Sequence, residues 1–155
     1  MMKKYFTFLS IMAVSFLFSQ NCNYKTINQN GVLLKQFNPM PIGGTSNLQV
    51  ATSISNINGN NNLMLTFRFR DNRISINNKV KIAFSNGQSL TMTANRQGND
   101  FIGGSEITHL IFSLNEEEEK KLLQNSISSV TINGSNLISA KMNKMYISQN
   151  LNCLN

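Results

Sequence analysis

The chain has no tryptophan, a single histidine (His109), two cysteines and two prolines, and only 14% of its residues are charged. Each shortage closes off some chemistry. Any histidine-dependent triad would have to run through His109. Two cysteines and one histidine cannot fill the closed tetrahedral shell of a structural zinc ion, so neither a metal site nor a cofactor is expected. With no tryptophan and 8% aromatics, a carbohydrate-stacking platform is poorly supplied. Four of the 7 acidic residues form the run Glu116 to Glu119, which leaves Asp71, Asp100 and Glu106 for the paired-carboxylate work of a glycosidase. No G-x-S-x-G elbow is present. The pairs Gly43-Gly44 and Gly103-Gly104 lack the lysine and hydroxyl residue that follow in a phosphate-binding loop, so they are expected to serve turns. No catalytic residue is assigned.

What is present starts with an export signal. In MMKKYFTFLSIMAVSFLFSQ, Lys3 and Lys4 precede an apolar run from Tyr5 to Phe18, and Ser19 and Gln20 follow it. Residues 1–20 are expected to form a secretory signal peptide. The run is short for a bilayer span, which takes about 20 residues. Cleavage after Ser19 or Gln20 would leave 21–155 as a single β-rich domain, secreted or periplasmic, that meets the membrane only through the signal before cleavage. A lipid anchor at Cys22 is the less favoured alternative. The bacterial lipoprotein signal wants a small residue just before the cysteine and an aliphatic one three places before it, and Asn21 and Ser19 hold those places.

Cys22 and Cys153 stand at opposite ends of the mature part, and in an exported chain they are most simply joined as a disulfide. Two independent thiols are the alternative. Closing so long a loop is worth about 5 kcal/mol in the chain-entropy model. The full chain has 14 Lys+Arg against 7 Asp+Glu, and removal of Lys3 and Lys4 leaves 12 − 7 = +5. That balance suits anionic surfaces but lacks the dense basic stripe of a nucleic-acid binder.

Along the mature chain, LMLTFRFR alternates, with Leu63, Leu65, Phe67 and Phe69 on one face and Met64, Thr66, Arg68 and Arg70 on the other. Period two marks a half-buried strand. LQVATSI (48–54) alternates more weakly, and NINGNNN (56–62) is expected to join the two as a hairpin with a mobile tip. In VKIAFSNGQSLTMTA, a two-residue Asn86-Gly87 loop would set the two apolar faces on opposite sides of the sheet. A three-residue Ser85-Asn86-Gly87 loop pairs Phe84 with Gln88, Ile82 with Leu90 and Val80 with Met92, so the faces coincide. Gly87 then takes a left-handed conformation in a type I turn with a bulge.

RQGNDFIGGSE is expected to be a loop before a strand near Ile107 to Phe112. A helix near 115–124 follows. Asn115 is a suitable N-cap with Glu118 three residues on, and the glutamates meet the positive end of the helix dipole. Helix-end electrostatics, rather than calcium binding or acid catalysis, therefore accounts for the run. Glu116–Lys120 and Glu117–Lys121 are i,i+4 pairs. SVTING and NLISAKM read as two strands around Asn133-Gly134-Ser135, GVLLKQF as a first strand, NPMPIGG as a loop, and the tail as a short helix or irregular segment that returns Cys153 towards Cys22. The fold class expected is all-β, an antiparallel sandwich or open barrel of about six to eight strands with one short α-helix.

The arrangement of signal peptide, early cysteine, VKIAFSNGQSLTM hairpin, FSLNEEEEKKL strand-to-helix step, ISSVTI and terminal cysteine resembles the uncharacterised small secreted β-rich proteins of Bacteroidetes-type bacteria. The resemblance covers most of the mature chain as an arrangement rather than a strict motif. It implies an exported β domain and carries no site residues over.

Two constellations remain. Arg68, Arg70 and Arg73, with Lys79 and Lys81 on the following hairpin, would make one anion-binding face if their strands adjoin in one sheet. An anionic envelope polymer, or another envelope protein, is the partner class such a face suits. The plain alternative is a solvated sheet face that discourages edge-to-edge association. His109 lies in EITHLIF beside Ile107 and Ile111. The function expected is a non-enzymatic binding or structural role in the cell envelope or outside the cell. The alternatives are a small hydrolase built on His109 with Asp100 or Glu106 and a serine, and an inhibitor of a secreted enzyme using the Asn38 to Asn47 loop.

Overall fold

The hairpin register derived for Asn86-Gly87 is the one observed in the computed structural model, which describes residues 22–154. Val80 faces Met92, Ile82 faces Leu90, and the Phe84 N–H reaches the Gln88 carbonyl at 2.9 Å. Gly87 has φ 86°. Burial of both apolar faces on the same side selects this register over its neighbour. Residues 1–20, expected to be the signal peptide, lie outside the described residues.

The strands are β1 (Tyr24–Gln29), β2 (Val32–Phe37), β3 (Met40–Gly44), β4 (Leu48–Ile57), β5 (Asn60–Phe69), β6 (Lys79–Phe84), β7 (Ser89–Thr93), β8 (Arg96–Ile102), β9 (Ser105–Ser113), β10 (Ile127–Ile132) and β11 (Asn136–Ser139). The helices are α1 (Glu116–Gln124) and α2 (Tyr146–Asn152). A seven-stranded antiparallel sheet runs β1-β2-β4-β5-β9-β8, with β3 also on β4. A four-stranded sheet runs β11-β10-β6-β7. The chain is thus an all-β, sandwich-like protein with short helices. The two sheets share one core, in which Val50, Ile54, Leu63, Leu65, Phe67 and Leu110 of the larger sheet join Val80, Ile82, Val130 and Ile132 of the smaller.

The sheets hold more strands than the alternation alone indicated, and two of the extra ones, β3 and β8, come from segments expected to be loops. NINGNNN is not a loose tip, because the β4–β5 ladder runs unbroken to Ile57 opposite Asn60. Asn58 (φ 49°) and Gly59 (φ 89°) form the whole turn. Two successive left-handed residues match the twist of a hairpin, and Asn-Gly supplies them at least cost. RQGNDFI is the edge strand β8, turned by Gly103-Gly104 into β9. NPMPIGG contains β3, whose bulge between Pro41 and Gly43 accommodates a proline that cannot donate to a ladder. The segment offered as an inhibitory loop is therefore largely tied into the sheet. GVLLKQF is the second strand, preceded by β1.

At α1, Asn115 Oδ1 accepts the Glu118 N–H at 2.9 Å while Glu118 Oε2 accepts the Asn115 N–H at 3.0 Å, the reciprocal cap expected. Lys121 Nζ pairs with Glu117 at 2.7 Å. Lys121 consequently holds the Glu117 carboxyl below its ordinary range. The helix α2 packs on α1 and β4 and carries Cys153 to Cys22, to which it is bonded with Cα atoms 5.6 Å apart. Among the described residues no helix is long and apolar enough to cross a membrane.

Candidate functional site

On the larger sheet the side chains that alternate with the core residues point outward and fall into rows fixed by register. One row is Ser53, Met64, Ile111 and Arg96, contributed in turn by β4, β5, β9 and β8. The next is Gln36, Ser55, Asn62 and Ser113. A third sets Ile27 opposite Leu34 and Leu34 opposite Ile57. Apart from Ile27, these residues line a trough of about 270 Å³, walled by Leu34 and Ile57 at one end and by Asn95 and Arg96 at the other. It crosses five adjacent strands from β2 to β8.

Much of the trough's polar lining is already engaged. Ser53 Oγ donates to the Phe37 carbonyl at 3.0 Å, Ser113 Oγ to Asn62 Oδ1 at 3.1 Å, and Asn62 Nδ2 to the Asn60 carbonyl at 3.0 Å. Asn95 Oδ1 accepts the Ser113 N–H at 2.6 Å. The side chains of Arg96, Gln36 and Ser55, by contrast, meet no hydrogen-bond or ion-pair partner among the described residues. No carboxylate lines the trough. Its resources are one free guanidinium, a free amide and hydroxyl, and two aliphatic stretches.

His109 stands one row further along, between Thr66 and Gly98. It is half-buried, and its Nδ1 lies 3.0 Å from Thr66 Oγ1. Neither acid expected to support it does so. The Asp100 carboxylate accepts the Phe101 N–H at 2.7 Å, and Glu106 is exposed opposite Phe101. Being flanked by β5 and β8, His109 is on an interior strand rather than an edge.

The five cations expected to share one face are divided between the two sheets. Arg68 points outward from β5 of the larger sheet, where its Nη2 lies 3.4 Å from the Gly103 carbonyl, and Arg70 is exposed just beyond that strand. Lys79 and Lys81 point outward from β6 of the smaller sheet, with Lys81 between Thr91 and Thr131. Arg73 is exposed in the connection that carries the chain from one layer to the other. The outward faces of two layers that share a core point in opposite directions, so these residues form separate groups.

A second depression of about 400 Å³ lies beside the disulfide, bordered by Asn23, Phe37, Asn38, Tyr146, Asn150 and Cys153. The Tyr146 hydroxyl donates to the Asn38 carbonyl. Burial pushes the Tyr146 phenol up from its ordinary pKa, and the Asn150 side chain acts in the opposite sense. Asn150 Nδ2 and Thr52 Oγ1, on the contacting elements α2 and β4, are buried without a hydrogen-bond partner in good geometry. Among the described residues no three His, Cys, Asp or Glu side chains converge as metal ligands would.

Sequence reasoning missed Arg96 because it was placed in a loop. Once R96 to I102 is a strand, period two sets Arg96 beside Ile111. Compared with known proteins, the chain matches no protein-family model, no curated protein and no solved structure.

Proposed function

We propose that this protein is an exported, non-catalytic binding domain of the cell envelope or extracellular space, and that its ligand site is the trough across the seven-stranded sheet. The Cys22–Cys153 bond supports export, since such bonds persist in oxidising compartments. A sulfur held in that bond cannot also carry a thioether-linked lipid. The trough is the observation that carries the binding reading: aliphatic walls with a few free polar groups are what orient a small ligand, and about 270 Å³ suits one below drug size. Among the described residues no carboxylate is bonded to His109 as the orienting member of a triad would be, which favours binding over hydrolysis.

Two measurements test this. Intact mass of the exported protein, with and without reductant, should read a cleaved, disulfide-bonded and unacylated chain. An anilinonaphthalene sulfonate dye should bind the native protein at one site, and Ser55→Trp should fill the trough and remove that binding without lowering Tm by more than a few degrees. Dye binding that is absent, or that is unchanged in the variant, would overturn the assignment of the site.

A further inference from the structure

We infer that the trough takes an N-acylated apolar amino acid, or the chemically equivalent C-terminal end of a short apolar peptide. This rests on the proposed binding role and adds the class of ligand. Its free groups occur in an order that matches such a molecule. Arg96 offers an unpaired guanidinium fork, whose geometry fits the two oxygens of one carboxylate. In the same row Ile111 and Met64 supply apolar surface one and two strands away, where a side chain on the α-carbon would rest. Ser55 and Gln36 follow on β4 and β2, with a free hydroxyl and a free amide for the ligand's own amide group. Leu34 and Ile57 close the far end, where an acyl tail or preceding side chain would lie.

The span agrees with this order. From β8 to β2 is four strand spacings, about 19 Å, which is long for a simple short acid and suitable for an acid bearing two apolar arms on one amide. Charge complementarity selects the head group. The lining holds a single cation and no anion, so a carboxylate gains a partner and an ammonium group would face Arg96. A neutral polyol would leave the guanidinium unmatched and the aliphatic ends unused.

The test uses the full mature protein and amide chemical shifts. The probes are N-octanoyl-leucine, its methyl ester, and a tripeptide of leucines with a free carboxylate. N-octanoyl-leucine should perturb the amides of Met64, Ile111 and Ser55 with a Kd of about 1 mM or tighter, and bind about tenfold tighter than the ester. Arg96→Gln should collapse that preference, while Arg96→Lys keeps part of it. Lys81→Gln, which removes a charge from the outward face of the smaller sheet, should leave it intact. The tripeptide should compete for the same amides, and the tighter of the two acids identifies the source. Equal binding of acid and ester, a preference that survives Arg96→Gln, or its loss in Lys81→Gln would overturn the ligand class while trough binding still stood. If no probe perturbs these amides, the ligand class falls, and the dye measurement alone decides whether the trough assignment falls with it.

Discussion

The hydroxyl of Thr66 and the imidazole Nδ1 of His109 lie 3.0 Å apart on adjacent strands, facing outward one row from the trough. A partly buried hydrogen bond of this kind contributes about 1 kcal/mol. Thr66→Val and His109→Gln should each cost about that much in urea denaturation, and the double variant should cost less than their sum. Neither change should alter the rate at which p-nitrophenyl acetate decays in the protein's presence. Esterase activity that vanishes in His109→Gln would return the site to the hydrolase reading.

Cys22 and Cys153 are bonded across 131 residues of sequence. The chain-entropy model assigns such a bond about 5 kcal/mol, so replacing both cysteines by serine should lower stability by about 3–5 kcal/mol. Loss should concentrate at one edge. The strand β1 is mostly exposed and pairs only with β2, its main apolar anchor being Tyr24 edge-on to Phe37 at 5.5 Å. Hydrogen exchange of β1 amides should accelerate before that of β5. Uniform acceleration throughout would show that the bond acts on the unfolded chain alone.

How much of this was legible in the sequence depends on which physical signal each segment carries. Leu63 to Arg70 bury every second residue and announce themselves by period two. Asn115 with Glu118 is a local motif whose two bonds form within four residues, so it too can be read directly. The β8 segment cannot be read this way, because all seven of its residues are exposed and no apolar alternation marks it. It is a strand because β9 lends it a ladder, which is tertiary information. Asn30-Gly31 and Asn58-Gly59 did carry a local signal for tight hairpins, and the surrounding run of asparagines obscured it. The trough was the least visible feature. Its rows combine residues from five strands, and only the register of β2, β4, β5, β9 and β8 places Arg96 and Leu34 on one surface. The same register dispersed the five cations, since β5 and β6 are consecutive in the chain yet belong to different layers.

Tyr146 ties α2 to the segment between β2 and β3 by donating its phenolic proton to the Asn38 carbonyl. Burial raises its folded pKa above the unfolded value of about 10. The folded state therefore holds this proton more tightly than the unfolded chain. The associated stability is fully present below pH 10 and is lost as pH rises through the folded value. Wild-type protein should lose stability above about pH 10 more steeply than Tyr146→Phe. At neutral pH the phenylalanine variant should be the weaker by about 1 kcal/mol, the ordinary net worth of the lost bond. Parallel alkaline curves for the two proteins would show that Tyr146 has no part in the loss.

Gly43 marks where the two sheets meet most closely outside the core. It bridges Ala140, just past β11, and the neighbouring Ile42 carbonyl accepts the Lys141 N–H at 2.9 Å. A Cβ on Gly43 would stand 2.1 Å from the Ser139 carbonyl oxygen and 3.1 Å from its carbon. Both obstacles are backbone, so relief requires β3 and β11 to separate. Overpacking of this sort costs about 1–3 kcal/mol and occasionally more, and Gly43→Ala should fall at the upper end because it also loosens the bridge. Gly98 is the internal control. It lies in edge strand β8, nothing stands within 4 Å of its would-be Cβ, and its φ is not left-handed. Gly98→Ala should change stability by no more than about 0.5 kcal/mol. If Gly43→Ala proves as mild as Gly98→Ala in urea denaturation, the β3–β11 contact is looser than the bridge implies.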